Sequence, residues 1–154
     1  MSKINCELNI NGVTKKINIH EDKTLLFIIR DEFRLTGTKL GCGLEQCGSC
    51  AVLIDGEKKL SCNLRAAEYQ NKKIVTIEGL ASKKQLNQVQ EAFKKNNAAQ
   101  CGYCTSGIII SITALFENNK NPSEDEIQKA LDGHLCRCGS HSSIFKAIEN
   151  LKEA

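Results

Sequence analysis

The chain contains no tryptophan, and aromatic residues make up only 5% of its 154 positions. Any core must therefore be mainly aliphatic, and a small domain with so little aromatic area gains from a metal staple. No apolar run approaches the roughly 20 residues needed to cross a bilayer, so no membrane insertion is expected. Met1-Ser2-Lys3-Ile4-Asn5 passes directly into an alternating pattern, without an apolar leader core or a twin arginine. The expected location is cytoplasmic. No nucleophile-and-base pattern and no substrate signature stand out, so no catalytic residue is expected on this chain. What the sequence has in excess is cysteine: nine, an odd number. In a reducing compartment such a set points to metal-bound thiolates rather than disulfides.

The densest stretch is Gly41-Cys42-Gly43-Leu44-Glu45-Gln46-Cys47-Gly48-Ser49-Cys50, completed by Cys62. Its pattern is C-x4-C-x2-C, then eleven residues, then a fourth cysteine. That is the plant-type ferredoxin spacing for one [2Fe–2S] cluster. Four thiolates must converge on a two-iron core, so the loop has to curl tightly. Glycines at 37, 41, 43 and 48 permit the positive φ values and close backbone approach this needs. Structural zinc usually pairs two short knuckles and fits the spacing poorly. The formal charge of +3 would suggest weak affinity for acidic partners, but an oxidised [2Fe–2S] unit with four thiolates carries about −2. Two such units would bring the chain to about −1, and no nucleic-acid partner is expected.

Along the first half, Ile4, Cys6, Leu8 and Ile10 alternate with polar residues, as in a half-buried strand. Asn11-Gly12 predicts a type I′ turn into a second strand, Val13 to Ile19. Cys6, on the inward face, reads as a small core residue rather than a ligand. Thr24 is expected to cap a helix from Leu25 to Phe33. Ala51–Ile54, the turn Asp55-Gly56 and Glu57–Cys62 read as a second hairpin, and Ile74–Ile77 as a last strand. These elements describe a β-grasp, ferredoxin-like domain over residues 1–78.

After a connector from Gly79 to Gln85 the pattern is helical. Leu86, Val89, Gln90 and Phe93 share one face, and Thr105 to Phe116 is apolar nearly all round, as in a central helix. Ser123 and Glu126 form a capping box after Pro122. Ile144, Ala147, Ile148 and Leu151 mark a further helix. The lysine pairs at 83–84 and 94–95 read as solvated helix faces. The expected fold class is α+β: the ferredoxin-like domain, then a four-helix bundle over residues 79–154.

This second half has its own cysteines, Cys101-Gly102-Tyr103-Cys104 and Cys136-Arg137-Cys138. Three readings fit them: a second electron carrier, a zinc site, or a dithiol whose first thiol is acidified by a helix N-terminus. His20, His134 and His141 have no ligand-like spacing. His141, three residues past Cys138, reads as an ordinary loop residue. Arg137 could tune a metal centre or pair with an acid of a partner.

At these motifs the sequence resembles a known family. Thr38-Lys39-Leu40-Gly41-Cys42-Gly43 with Gln46-Cys47-Gly48-Ser49-Cys50, then Gln100-Cys101-Gly102-Tyr103-Cys104, then Gly133-His134-Leu135-Cys136-Arg137-Cys138-Gly139 are similar to the small iron–sulfur subunit of molybdenum hydroxylases. That family includes xanthine dehydrogenase, aldehyde oxidoreductase and carbon monoxide dehydrogenase. The motifs look closest to the isoquinoline, nicotinate and aldehyde dehydrogenase branch. Most members have Pro where Ser106 stands, and Thr-Gly-Tyr where Gly139-Ser140-His141 stands.

The resemblance implies two [2Fe–2S] clusters, the first on Cys42, Cys47, Cys50 and Cys62 and the second on Cys101, Cys104, Cys136 and Cys138. It implies that Gln100 and Cys138 contact a molybdopterin, as the cytosine dinucleotide, held by a large partner subunit. Substrate oxidation then belongs to that partner. This chain relays electrons to an acceptor, a cytochrome or an FAD-binding subunit. The alternative is a free-standing ferredoxin with a zinc-stabilised helical domain, or a dithiol oxidoreductase using Cys101 and Cys104.

Overall fold

The computed structural model describes residues 2–82 and 85–152, and it has an α+β architecture. Among the described residues, five strands form one sheet: β1 (Lys3–Ile10), β2 (Val13–His20), β3 (Ala51–Ile54), β4 (Glu57–Leu60) and β5 (Lys73–Val75). Their order is β2-β1-β5-β3-β4, with β1 and β5 parallel and the other neighbours antiparallel. Asn11 and Gly12 both take positive φ, 53° and 79°, as a type I′ turn requires. Asp55 and Gly56 repeat this between β3 and β4, at 52° and 87°.

Alternation in β1 puts Cys6, Leu8 and Ile10 on one face, where they meet Leu25, Ile28, Ile29, Val52, Ile54 and Ile74. Cys6 is a core residue, as expected, and burial pushes its thiol pKa up. β3 does not alternate; all four of its residues are buried. Val52 and Ile54 face that first core, while Ala51 and Leu53 turn to the other side and pack on Ile110 and Ala114. A strand covered on both faces has no position left for a polar residue.

What covers the second face is α3 (Thr105–Asn118). With α2 (Gln88–Lys95), α4 (Glu124–Leu131) and α5 (His141–Lys152), it surrounds a further core that includes Val89, Phe93, Ile108, Ile112, Ile127 and Ile148. α3 is apolar nearly all round because it faces helices on one side and β3 on the other. Ser123 caps α4 with a capping box to Glu126, as read from the sequence.

Several elements differ from expectation. The helix expected from Leu25 to Phe33 is one α-helical turn, α1 (Leu25–Phe27), running into a π-helical turn at Ile28–Glu32. Thr24 has cap backbone angles, but its hydroxyl makes no cap bond. One of the amides it could have taken is already used, Leu26 N–H donating to Ser61 O at 3.0 Å, and the neighbouring Leu25 N–H donates to Leu64 O at 2.7 Å. The π turn brings Arg30 within 2.9 Å of Thr36 O and 2.7 Å of Thr38 O, on the loop that leads to Cys42.

The last strand stops at Val75 rather than Ile77. Thr76 N–H leaves the ladder for Asn11 Oδ1 at 2.9 Å, and Ile77–Leu80 forms a 3-10 turn. Leu86 lies before α2, because Asn87 caps that helix and Gln90 closes a capping box with it. Gln90 thus serves the helix end and donates to Ile77 O at 3.0 Å. Lys94 and Lys95 stand in the last turn of α2, and Lys83 and Lys84 lie outside the described residues.

Candidate metal centres

Cys42, Cys47 and Cys50 occupy the loop between the π turn and β3, and Cys62 follows β4. Gly43 and Glu45 take left-handed backbone angles, φ 68° and 58°. The amides of Leu44 and Gln46 both donate to Cys42 Sγ at 3.3 Å. Cys42 N–H in turn lies 3.3 Å from Cys47 Sγ. With those amide donors first among the causes, the exposed Cys42 thiol is lowered to about 7. Cys50 is its opposite: burial, with Cys62 beside it, pushes its thiol up to about 12. Cys50 and Cys62 pack with Leu26 and Leu60, and Ser61 Oγ donates to Cys50 O at 2.7 Å. The glycines divide their tasks. Gly43 supplies a positive φ, while at Gly41 a β-carbon would overlap Cys47 Sγ.

The second set comes from two chain segments, the entry to α3 and the loop before α5. Cys101 is held down chiefly by the Tyr103 amide and next by the Cys138 thiol. Cys104, buried, is pushed up to about 11, with the Cys136 thiol beside it. The Ser140 amide is the main cause of a lowered Cys136 pKa. The thiols influence one another chiefly in pairs, Cys42 with Cys47, Cys50 with Cys62, Cys101 with Cys138 and Cys104 with Cys136, and Cys101 also feels Cys136 and Cys104. Among the described residues, no group of three or more His, Cys, Asp or Glu could hold one metal ion. Pairs of thiols suit a two-iron centre, which takes two thiolates at each iron.

The two sets share a seam. Leu135 N–H donates to Cys47 O at 3.2 Å, and Leu135 is bonded to Cys136. Gly107, in the first turn of α3, lies so close to the first loop that a β-carbon there would collide with Gly48 O. A β-carbon on Gly48 would in turn strike the His134 ring. That ring is bonded through Nε2 to Ser111 Oγ at 2.6 Å. Burial, then the charge of Lys58, pushes His134 down to about 4, so it is neutral at pH 7. Tyr103 OH donates to Leu40 O across the same seam.

Sequence reasoning found in His134 only a histidine without ligand-like spacing, and passed over Ser111 and Gly107. The available signals were two hydroxyl residues, Ser111 and Thr113, inside an otherwise apolar helix. His141 is exposed and opens α5, while Arg137 and Gln100 are exposed beside their cysteines.

Among the described residues, five buried side-chain atoms lack any partner: Thr24 Oγ1, Thr38 Oγ1, Ser106 Oγ, His134 Nδ1 and Ser140 Oγ. Three of them belong to residues two positions from a second-set cysteine. Buried polar atoms are normally satisfied, so orphans gathered here fit a site whose partner is a bound group.

Fold and thiol sets together define an iron–sulfur protein. A domain family described as a 2Fe-2S iron-sulfur cluster binding domain matches residues 8–80, and one described as a [2Fe-2S] binding domain matches residues 76–149. The chain is 37% identical to the nicotinate dehydrogenase small FeS subunit of Eubacterium barkeri, over 96% of this chain and 94% of that one. It is 38% identical to the nicotine 6-hydroxylase small subunit of Paenarthrobacter nicotinovorans, over 95% and 88%. A chain of quinoline 2-oxidoreductase from Pseudomonas putida 86 superposes with a TM-score of 0.92 at 35% identity, covering 99% of this chain and 95% of that chain. The protein belongs to the family of small iron–sulfur subunits of molybdenum hydroxylases, the electron-transfer subunits of oxidoreductase complexes.

Proposed function

We propose that this chain passes electrons singly from a molybdopterin centre on a large partner subunit to an acceptor, through two [2Fe–2S] clusters. The observation that carries the reading is the seam. One hydrogen bond, Leu135 N–H to Cys47 O at 3.2 Å, joins the backbone of a first-set cysteine to the residue preceding a second-set one. Cys42 and Cys47 would hold one iron of the first cluster and Cys50 and Cys62 the other. Cys101 and Cys138, with Cys104 and Cys136, would hold the second cluster in the same way. Bound there, each cluster supplies a one-electron store.

The protein's own residues prepare these sites. Amides of Leu44, Gln46, Tyr103 and Ser140 favour the thiolate form of their cysteines. The buried Cys50 and Cys104 give up their protons only to a metal, so loading releases protons and is coupled to folding. His134, neutral and wedged at Gly48, adds no charge between the two sets.

The chain divides into a ferredoxin-like part, residues 1–78, and residues 79–154, whose helices form a bundle around the second cluster. Gln100 and Cys138 face the pterin, a molybdopterin cytosine dinucleotide. The exposure of Gln100 and Cys101 leaves that side open to a partner. Leu44 and Leu135 are 65% and 66% exposed, and Leu40 and Tyr103 are exposed as well. Apolar side chains presented around redox loops are what a partner chain covers. At the first-set loop the electrons pass to a cytochrome or an FAD-binding subunit. The complex works in the cytoplasm, and among the described residues no helix is long and apolar enough to cross a membrane.

Purification of the native complex tests this. The expected yield is about four irons and four acid-labile sulfides per chain, two distinct reduced paramagnetic signals, and a co-purifying molybdenum subunit. About two irons with one zinc would overturn the two-cluster reading in favour of the zinc-stabilised ferredoxin. Direction is tested by Cys104→Ser, which should leave the first set oxidised after substrate is added. Cys47→Ser should instead leave molybdenum and the second set reducible while transfer to the acceptor fails.

A further inference from the structure

Ser49 stands between two first-set cysteines and is 4% exposed. Its Oγ lies 3.6 Å from Cys47 Sγ, within hydrogen-bonding reach of a sulfur, and among the described residues that is its one side-chain partner. The backbone on both sides of Ser49 is pinned. Lys39 N–H donates to Ser49 O, and Ala51 N–H to Gly48 O, each at 3.1 Å. Gly41 stands beside the pair without a side chain: a β-carbon there would overlap Cys47 Sγ and come within 3.3 Å of Ser49 Oγ. Hydroxyl and sulfur thus share one buried space, kept free by a glycine.

While Cys47 is a free thiol, it can donate to the hydroxyl. As a metal ligand it is a thiolate and has no proton to give. The one proton then left between the two atoms is the hydroxyl's, so the bond runs from Ser49 to the sulfur. Ser61 offers the contrast. It too is buried beside first-set cysteines, yet its hydroxyl is spent on a carbonyl, Cys50 O, at 2.7 Å.

We propose that the Ser49 hydroxyl donates a hydrogen bond to the Cys47 sulfur of the loaded first centre and raises the reduction potential of that centre. The inference rests on the two-cluster reading given above. Cys42 N–H already lies 3.3 Å from Cys47 Sγ, so the hydroxyl is a second donor on one sulfur. An electron added to a thiolate-bound cluster makes its sulfurs more negative, and a donor aimed at them favours that state. Ser49 is not a ligand; it acts through the sulfur, as a positioning residue. On the proposed route this centre is the one nearer the acceptor, and a higher potential there draws the electron forward.

The experiment is a redox titration of the intact complex, following the two reduced paramagnetic signals separately in wild type, Ser49→Ala and Ser61→Ala. Iron and sulfide are counted first. Ser49→Ala is expected to keep about four irons and to shift the first centre's one-electron equilibrium about tenfold towards the oxidised form, or about 59 mV lower. The second centre should not move, and Ser61→Ala should leave both where they are. Iron–thiolate vibrations recorded in heavy water add a readout that packing alone would not move. Their deuterium shift should shrink in Ser49→Ala and persist in Ser61→Ala. A four-iron Ser49→Ala complex with an unmoved potential or an undiminished deuterium shift would overturn this inference and leave the two-cluster reading intact. An equal fall in potential in both variants would overturn it as well. About two irons in the wild-type chain would instead refute the two-cluster reading. If Ser49→Ala sheds the first centre, Ser49→Thr, which keeps a hydroxyl, decides. A retained centre at wild-type potential supports the donor role, and a lost or shifted one overturns it.

Discussion

Cys42, Cys47 and Cys50 stand within nine residues of one loop, whereas Cys101 and Cys104 meet Cys136 and Cys138 from across more than thirty. The first set has donors from its own loop, Leu44 and Gln46, and only Cys62 comes from elsewhere, at the end of a hairpin. The second set also has nearby amides, of Tyr103 and Ser140, but they serve two separate segments that nothing local brings together. It forms because α3 is docked against β3 and against the first loop, and because the 133–135 turn lies on Cys47 and Gly48. The first set of thiols is a property of a segment; the second is a property of the fold. Closing the longer loop adds an entropic cost that grows only slowly with length, so packing must decide whether it closes.

Gly107→Val tests that distinction most severely. A β-carbon there collides with the backbone at Gly48 O, and no side-chain rotation can absorb it. We expect a loss of about 3 kcal/mol, with iron lost from the second set before the first as temperature rises. Parallel loss from both sets in a thermal iron-release assay would erase the contrast.

Ile110→Ala removes a fully buried side chain where α3 meets Ala51 and Leu53. It should cost about 3 kcal/mol and weaken amide-exchange protection in both β3 and α3. Loss confined to α3 would mean that the two halves are stable independently.

Ser123→Ala, away from the seam, should cost about 1 kcal/mol. Exchange protection should fall in the first turn of α4, with the iron content of both sets unchanged.

Acid provides the gentlest probe. Amide and hydroxyl donors of Ser123, then Asn119, hold the Glu126 carboxyl below its ordinary value. The folded chain therefore binds this proton less tightly than the unfolded one. Its stabilisation is complete above the ordinary carboxylate range and fades as pH falls through the depressed value. Thermal melts of wild type and Glu126→Gln should differ at neutral pH and converge on acidification. A gap that widens in acid would reverse the sign.

Most of the first half was legible because its signals are local. Asn11-Gly12, Asp55-Gly56 and the alternation of Ile4 to Ile10 each fix their own backbone. The helix from Leu25 was overdrawn because its second part widens to a π turn, Phe33 N–H bonding Ile28 O, while Arg30 reaches the carbonyls of Thr36 and Thr38, which no local pattern reveals. The last strand was overdrawn for a similar reason, since Thr76 is claimed by a side chain sixty-five positions away. In the second half the apolar α3 and the box at Ser123 were readable. The burial of His134 was not, because Gly48, which makes room for its ring, lies on the first cysteine loop.

The seam also fixes an order of events during synthesis. Chains emerge from the ribosome in sequence and fold progressively. All four thiols of the first set are available once Cys62 is out. Cys101 and Cys104 must then wait for Cys136 and Cys138, and Leu135 can reach the Cys47 carbonyl only after α3 and α4 have been made. The first loop, already closed on its own donors, becomes a template on which the second site is moulded. Mis-insertion of metal at the first site would therefore propagate: a loop shape distorted at Gly48 presents the wrong surface to Gly107 and His134 before the second site exists.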